Sequence, residues 1–224
     1  EFMAAVMNND INFTDKLSFY KQEVNELGIL LTPPSINKSV EVFSVDSDKI
    51  IYALGALKNV GIESMRNIIS VRNTGGDFKD IFDFANRVEL RKIGKRSLEM
   101  LIYAGVFDEI SNNRNQLFQS IEILVEYSNI CFSEKYTGQN NLFGETNNLL
   151  SYPDLKLIED WNSSEKLKKE YEAIGFYLSA HPLDDYSKLF KSKNIVKFSE
   201  LNEILKSGPK LIKISGSVLS KQER

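Results

Sequence analysis

Apolar residues recur along this chain at helical and at alternating spacings, and the switches between the two divide it into elements. Over residues 15–27, Leu17, Tyr20 and Val24 fall on one helical face, with Thr14 placed to cap the helix and Gly28 to stop it. Pro33-Pro34 forces extended chain. Residues 40–45 alternate, Asp46-Ser47-Asp48 has turn composition and residues 49–52 are strand-like again, which predicts a short β-hairpin. Helical spacing returns in a short helix near 53–57 and a longer one over 62–72, broken by Asn73-Thr74-Gly75-Gly76. A third helix is expected from Asp77, with acids in its first turn, and another over 97–104, stopped by Gly105. Leu117, Ile121, Leu124, Val125, Ser128 and Phe132 predict one amphipathic helix over 113–132. Periodicity then disappears: residues 134–153 are a long loop rich in Gly, Asn, Gln, Thr and Ser. A helix starting at Asp160 or Ser163 carries Leu167, Tyr171 and Ile174 toward His181-Pro182, and short helices are expected over 183–191 and 200–206. Residues 211–218 alternate as a strand with no partner after it. The reading is mainly α, with a small β-hairpin and one C-terminal strand.

Within this pattern two stretches repeat without gaps. Leu57-Lys58-Asn59-Val60-Gly61-Ile62-Glu63-Ser64-Met65-Arg66-Asn67-Ile68-Ile69 lines up on Leu90-Arg91-Lys92-Ile93-Gly94-Lys95-Arg96-Ser97-Leu98-Glu99-Met100-Leu101-Ile102. Each copy runs apolar, two polar or basic residues, β-branched, Gly, then a helix, which is the pattern of a helix-hairpin-helix unit, here in tandem. Such a turn presents backbone N–H groups at a helix N-terminus, where a phosphate is well placed. Gly permits close backbone approach and positive φ, and Asn59, in the place of a first Gly, is the non-Gly residue type that tolerates the left-handed region best. The expected donors are the N–H groups of Val60, Gly61 and Ile62 with charge from Lys58. In the second copy, contacts at Gly94 would lean on Lys92, Lys95 and Arg96. Ile68, Ile69, Leu98, Leu101, Ile102, Phe82, Phe84 and Phe107 should form the core beneath.

Charge sharpens this picture. The chain of 224 residues has a formal net charge of −3, so bulk charge does not drive nucleic-acid binding. Between Leu57 and Ala104, however, basic residues outnumber acids, so the basic excess sits on the repeat; the alternative is an ordinary solvated face. A single cysteine, Cys131, excludes an internal disulfide framework, argues against a Cys-based zinc site and fits a reducing cytoplasm. No apolar run approaches a membrane span, and the first residues lack signal-peptide character and read as the middle of a longer chain.

Other chemistry is sparse. His181, the one histidine, lacks an evident catalytic partner and reads as structural, and Asp184-Asp185 reads as the acidic start of a short helix rather than a metal pair. No residue is expected to be catalytic or to bind a metal. In the long loop, Gln139-Asn140-Asn141-Leu142-Phe143 puts two large apolar residues in a polar segment. Leu142 and Phe143 either fill a pocket on a partner, with Gln139 at its rim, or fold back onto the chain's own core; the residues alone leave both open.

With these residues in view, the chain resembles the family of bacterial replicative DNA polymerase III alpha subunits. Glu1-Phe2-Met3-Ala4-Ala5 and residues 28–37, with Pro33-Pro34-Ser35-Ile36-Asn37, are similar to the end of that family's fingers region (1–45). Tyr52-Ala53-Leu54-Gly55-Ala56-Leu57-Lys58-Asn59-Val60-Gly61 and Leu98-Glu99-Met100-Leu101-Ile102-Tyr103-Ala104-Gly105-Val106-Phe107-Asp108 resemble its tandem helix-hairpin-helix domain (46–110). Glu172-Ala173-Ile174-Gly175-Phe176-Tyr177-Leu178-Ser179-Ala180-His181-Pro182-Leu183 resembles the helical connector (160–208) ahead of an OB-fold, whose first strand would occupy 209–224. The resemblance implies that the segment 111–159 carries a sliding-clamp motif at Gln139, Leu142 and Phe143. It also implies that the hairpins grip primer–template duplex DNA, that other holoenzyme subunits are partners, and that the catalytic carboxylates with their Mg²⁺ lie upstream of Glu1. A stand-alone helix-hairpin-helix module of a repair or recombination protein is the rival reading, and a helical scaffold that binds nothing is a third.

Overall fold

The computed structural model describes residues 1–137, 152–196, 200–206, 208, 210–216 and 222. They fall into two units, Glu1–Leu178 and Ser179–Arg224.

The first unit opens with helices α1 (Phe2–Asn9) and α2 (Thr14–Glu26). Phe13, not Thr14, is the N-cap of α2. The preceding turn is held instead by Asp10, whose carboxylate accepts from Lys16 Nζ at 2.7 Å and Tyr20 Oη at 2.6 Å. At the other end Gly28 takes φ +72°, its N–H donates to Asn25 and the Ile29 N–H donates to Val24, so orphan carbonyls are satisfied as the glycine predicted.

A three-stranded sheet follows, in the order β1 (Leu30–Thr32), β3 (Lys49–Ile51), β2 (Ser44–Asp46). The expected hairpin pairs β2 with β3 antiparallel, Val45 opposite Ile50, while β1 adds in parallel with Leu31 opposite Ile50. Residues 40–43 do not join the strand. The Phe43 backbone is taken by a side chain instead, its N–H donating to Asn8 Oδ1 (2.6 Å) and its carbonyl accepting from Asn8 Nδ2 (2.9 Å).

A 3-10 turn (Leu54–Ala56) leads to the repeat, which forms α3 (Ile62–Gly75), α4 (Ile81–Arg87), α5 (Leu90–Ile93) and α6 (Lys95–Tyr103). Helix α4 begins four residues later than its acids suggested. Asn37 holds the Phe78 backbone through two hydrogen bonds of 2.8 and 2.9 Å, and Asp80 caps the helix by accepting from the N–H groups of Phe82 and Asp83. The loop carrying Asn37 is clasped from α3 by buried Arg72, which donates to the carbonyls of Ile36 and Ser39 at 2.8 Å each. Of the expected core residues all are buried except Phe82, which is partly covered and packs edge-on against Tyr127.

The amphipathic helix over 113–132 is two helices, α7 (Arg114–Gln119), capped by Asn113, and α8 (Ile121–Thr137). Ser120 breaks the run, yet Leu117, Ile121, Leu124 and Ser128 stay buried across the break, which is why the sequence reads as one helix. Buried Ser128 links α4 to α5, donating to the Val88 carbonyl and accepting from the Leu90 N–H. Residues 152–160 run along α7, where Asn113, Asn115 and Gln116 donate side-chain amides to the carbonyls of Ile158, Glu159 and Lys156. Helix α9 (Ser163–Ile174) is capped by Asn162 and ends at Gly175 with φ +97°, well short of His181.

In the second unit a 3-10 turn (Asp184–Tyr186) precedes α10 (Ser187–Ser192) and α11 (Leu201–Leu205). The strand expected over 211–218 is reduced, among the described residues, to one parallel bridge between Ile195 and Lys213. Leu211 and Ile214 are exposed, so the alternation has no face to bury there. Exposed His181 is part of a turn: its N–H donates to Asp184 Oδ2 at 2.7 Å and its Nδ1 accepts from the Leu183 N–H. No helix among the described residues is long and apolar enough to cross a membrane.

Candidate nucleic-acid interface

The two copies agree below the surface. Leu57 and Leu90, Met65 and Leu98, Ile68 and Leu101, and Ile69 and Ile102 are aligned pairs, and all eight are buried. The copies also touch: Ser97 Oγ, near the start of α6, donates to the Asn59 carbonyl of the first hairpin at 3.2 Å.

At the surface they differ. In the first hairpin the left-handed residue is Asn59, φ +57°, whereas Gly61 is extended at φ −79°, ψ 126° and is the N-cap of α3. A Cβ on Gly61 would meet only Ser64 Oγ, at 3.5 Å, so the fold itself does not require glycine there. In the second hairpin Gly94 takes φ +83° and separates α5 from α6 by that one residue. Neither Gly61 nor Gly94 offers a side-chain cap, unlike Asp80, Asn113 and Asn162 at the starts of α4, α7 and α9. The first-turn N–H groups of α3 and α6 therefore have no side-chain acceptor within the described residues. Gly61 and Ile62 are exposed and Val60 is half-buried, so the first of these donor sets faces outward.

The cations follow a mixed pattern: in the first copy Arg66 pairs with Glu63 at 2.8 Å and Glu41 at 3.8 Å, and in the second Arg91, aligned with Lys58, is exposed with no carboxylate partner among the described residues. Lys58 is exposed with no carboxylate partner among the described residues, and its backbone N–H donates to Ala173 at the end of α9. The end of its side chain lies over Gly175, where a Cβ would come within 2.6 Å of Lys58 Nζ and 2.3 Å of Thr14 Cγ2, and φ +97° itself favours glycine there. The second hairpin has more charge, but Lys92 pairs with Glu89 at 2.6 Å, Lys95 with Glu122 of α8 at 2.8 Å, and Arg96 with both Glu99 at 3.0 Å and Glu172 of α9 at 2.9 Å. These pairings raise the Lys95 and Arg96 pKa values, through Glu122 for the first and through Glu99 then Glu172 for the second, while Lys95 holds the Glu122 carboxyl below its ordinary range. The basic excess read from residues 57–104 is thus met by three acids from outside that stretch, Glu41 on Arg66, Glu122 on Lys95 and Glu172 on Arg96.

All nine hairpin positions singled out by sequence are brought into one region by the Ser97–Asn59 bond and by α9, which touches the first hairpin through Ala173 and the second through Glu172. Sequence reasoning reads α9 as a helix but not its place beside the hairpins, since no local pattern links residues 172–175 to a turn more than a hundred positions earlier. Gln139, Leu142 and Phe143 lie outside the described residues. No cluster of three or more His, Cys, Asp or Glu residues able to hold a metal occurs among the described residues.

Comparison with known proteins bears on this geometry. A family model described as a helix-hairpin-helix motif matches residues 28–117, the stretch that holds both hairpins. Over 224 residues, all of this chain, the identity to the DNA polymerase III subunit alpha of Caulobacter vibrioides is 37%. End to end, this chain is similar to one segment of the DNA polymerase III alpha subunit. The corresponding proteins of Campylobacter jejuni and Borreliella burgdorferi are each 38% identical, over 93% and 90% of the chain. The chain spans only 20%, 18% and 17% of the length of these three relatives.

Proposed function

We propose that this chain works as part of a replicative DNA polymerase alpha subunit, holding primer–template duplex DNA by its phosphates and tethering the enzyme to the sliding clamp for processive DNA-templated synthesis. The observation that carries the reading is the end-to-end similarity to relatives named DNA polymerase III subunit alpha. The geometry supports it: a helix N-terminus without a side-chain cap, with outward N–H groups and a lysine that has no carboxylate partner among the described residues, suits a phosphate and reads no sequence. Lys58, Asn59, Val60, Gly61 and Ile62 form the first contact, and Lys92, Gly94, Lys95 and Arg96 the second. Gln139, Leu142 and Phe143 are the clamp-binding residues of this reading, which act by raising the effective concentration of the enzyme at the primer end. Nucleotidyl transfer with Mg²⁺ belongs to other parts of the polymerase, and no described residue is assigned to it. Other holoenzyme subunits are partners, and the location is cytoplasmic.

Two titrations test this. The 224-residue chain should bind duplexes of unrelated sequence with similar affinity, falling steeply with salt. It should also bind an immobilised bacterial sliding clamp by surface plasmon resonance, and Gln139→Ala/Phe143→Ala should lose that binding. Duplex binding without clamp binding favours the repair-module alternative; binding to neither contradicts the proposal.

A further inference from the structure

The second hairpin places Lys95 and Arg96 in the first turn of α6, directly after Gly94. Cations at the positive end of a helix are unfavourable unless an anion joins them. Here the anions are internal. Glu122 reaches Lys95 from α8, 27 residues on, and Glu172 reaches Arg96 from α9, 76 residues on. These carboxylates are matched to the two first-turn cations, and all four side chains are more than 40% exposed, so the pairs are open to exchange with an incoming anion.

We infer that Glu122 and Glu172 are built-in phosphate stand-ins that hold Lys95 and Arg96 back from DNA, making these two cations a conditional contact beside the standing contact of the first hairpin. The inference rests on the duplex-binding reading above and adds how that site is tuned. A duplex seated on the hairpins must displace both carboxylates to engage Lys95 and Arg96, while Glu99 of the same helix stays beside Arg96. Its affinity is therefore held below what the number of cations would allow, as suits a segment that has to release and re-grip along a duplex.

The test is duplex binding by the 224-residue chain across a salt series, for the parent, for Glu122→Gln/Glu172→Gln, and for Asp46→Asn/Asp48→Asn. The last pair, on the β2–β3 turn, changes net charge equally. The expected result is several-fold tighter binding by the Glu122/Glu172 variant, with a salt slope steeper by up to about 0.9 for each additional phosphate neutralised. The turn variant should bind only slightly tighter than the parent. Adding Lys95→Gln/Arg96→Gln to the Glu122/Glu172 variant should abolish the tightening, whereas the same change of charge made at exposed Lys188→Gln/Lys191→Gln should leave most of it. Equal tightening in the two charge-matched variants, or tightening that survives loss of Lys95 and Arg96, would overturn the inference while leaving duplex binding intact. A parent chain that binds no duplex would overturn both.

Discussion

Each hairpin turn has one exposed cation without a carboxylate partner among the described residues, Lys58 in the first and Arg91 in the second; the second adds Lys92, Lys95 and Arg96 and commits all three to its neighbours. Both rest on matching cores, with Ile68 under one and Leu101 under the other, each fully buried. What separates them is what stands around the turn: Ala173 and Gly175 beside the first, and Glu89, Glu99, Glu122 and Glu172 around the second. Counting lysines and arginines would rank the second hairpin as the stronger phosphate site. The geometry narrows that difference, because a cation already matched to a carboxylate attracts a phosphate less than one without a partner.

The comparison can be broken first at its shared base. Ile68→Ala and Leu101→Ala should each cost about 2–5 kcal/mol in chemical denaturation, since both remove a fully buried branched side chain. A much smaller cost at one would show that the two cores are not equivalent. Next come the glycines. Gly94→Ala should lose roughly 1–2 kcal/mol because φ +83° is strained for any Cβ, whereas Gly61→Ala, at φ −79°, should leave stability nearly unchanged. Equal losses would refute the conformational difference. The link between the copies is smaller: Ser97→Ala removes one hydrogen bond to the Asn59 carbonyl and should cost about 0.5–1.5 kcal/mol, also read from denaturation midpoints. Smallest in the folded chain is Lys58→Gln, which should barely move stability but lower the slope of log affinity against log salt by about 1.

Much of this arrangement is legible in the residues. The repeat is local and gapless, so its helices, its buried positions and the left-handed Asn59 follow from spacing and from what asparagine tolerates. The glycine stops at Gly28 and Gly105 are equally readable, with φ values of +72° and +75°. The cue at Gly175 is present too, but the later His181-Pro182 competes with it as a stop signal. What is not legible depends on partners far away in sequence. Strand β1 is three residues long and exists because β3 pairs with it, and the start of α4 is fixed by Asn37 holding Phe78. Likewise the carboxylates that quench the second hairpin come from α8 and α9, so a charge count confined to residues 57–104 overstates its basic character.

The central claim is that the first hairpin offers its backbone to a DNA phosphate at Gly61. The most direct measurement compares duplex binding by the parent chain and by Gly61→Val at one low salt concentration, with thermal unfolding of both. A Cβ at this position meets only Ser64 Oγ, at 3.5 Å, and the extended φ −79°, ψ 126° suits a β-branched residue. The fold should therefore survive, while affinity falls about tenfold or more because the valine holds the phosphate away from the N–H groups. A folded Gly61→Val chain that binds duplex as tightly as the parent would contradict the account.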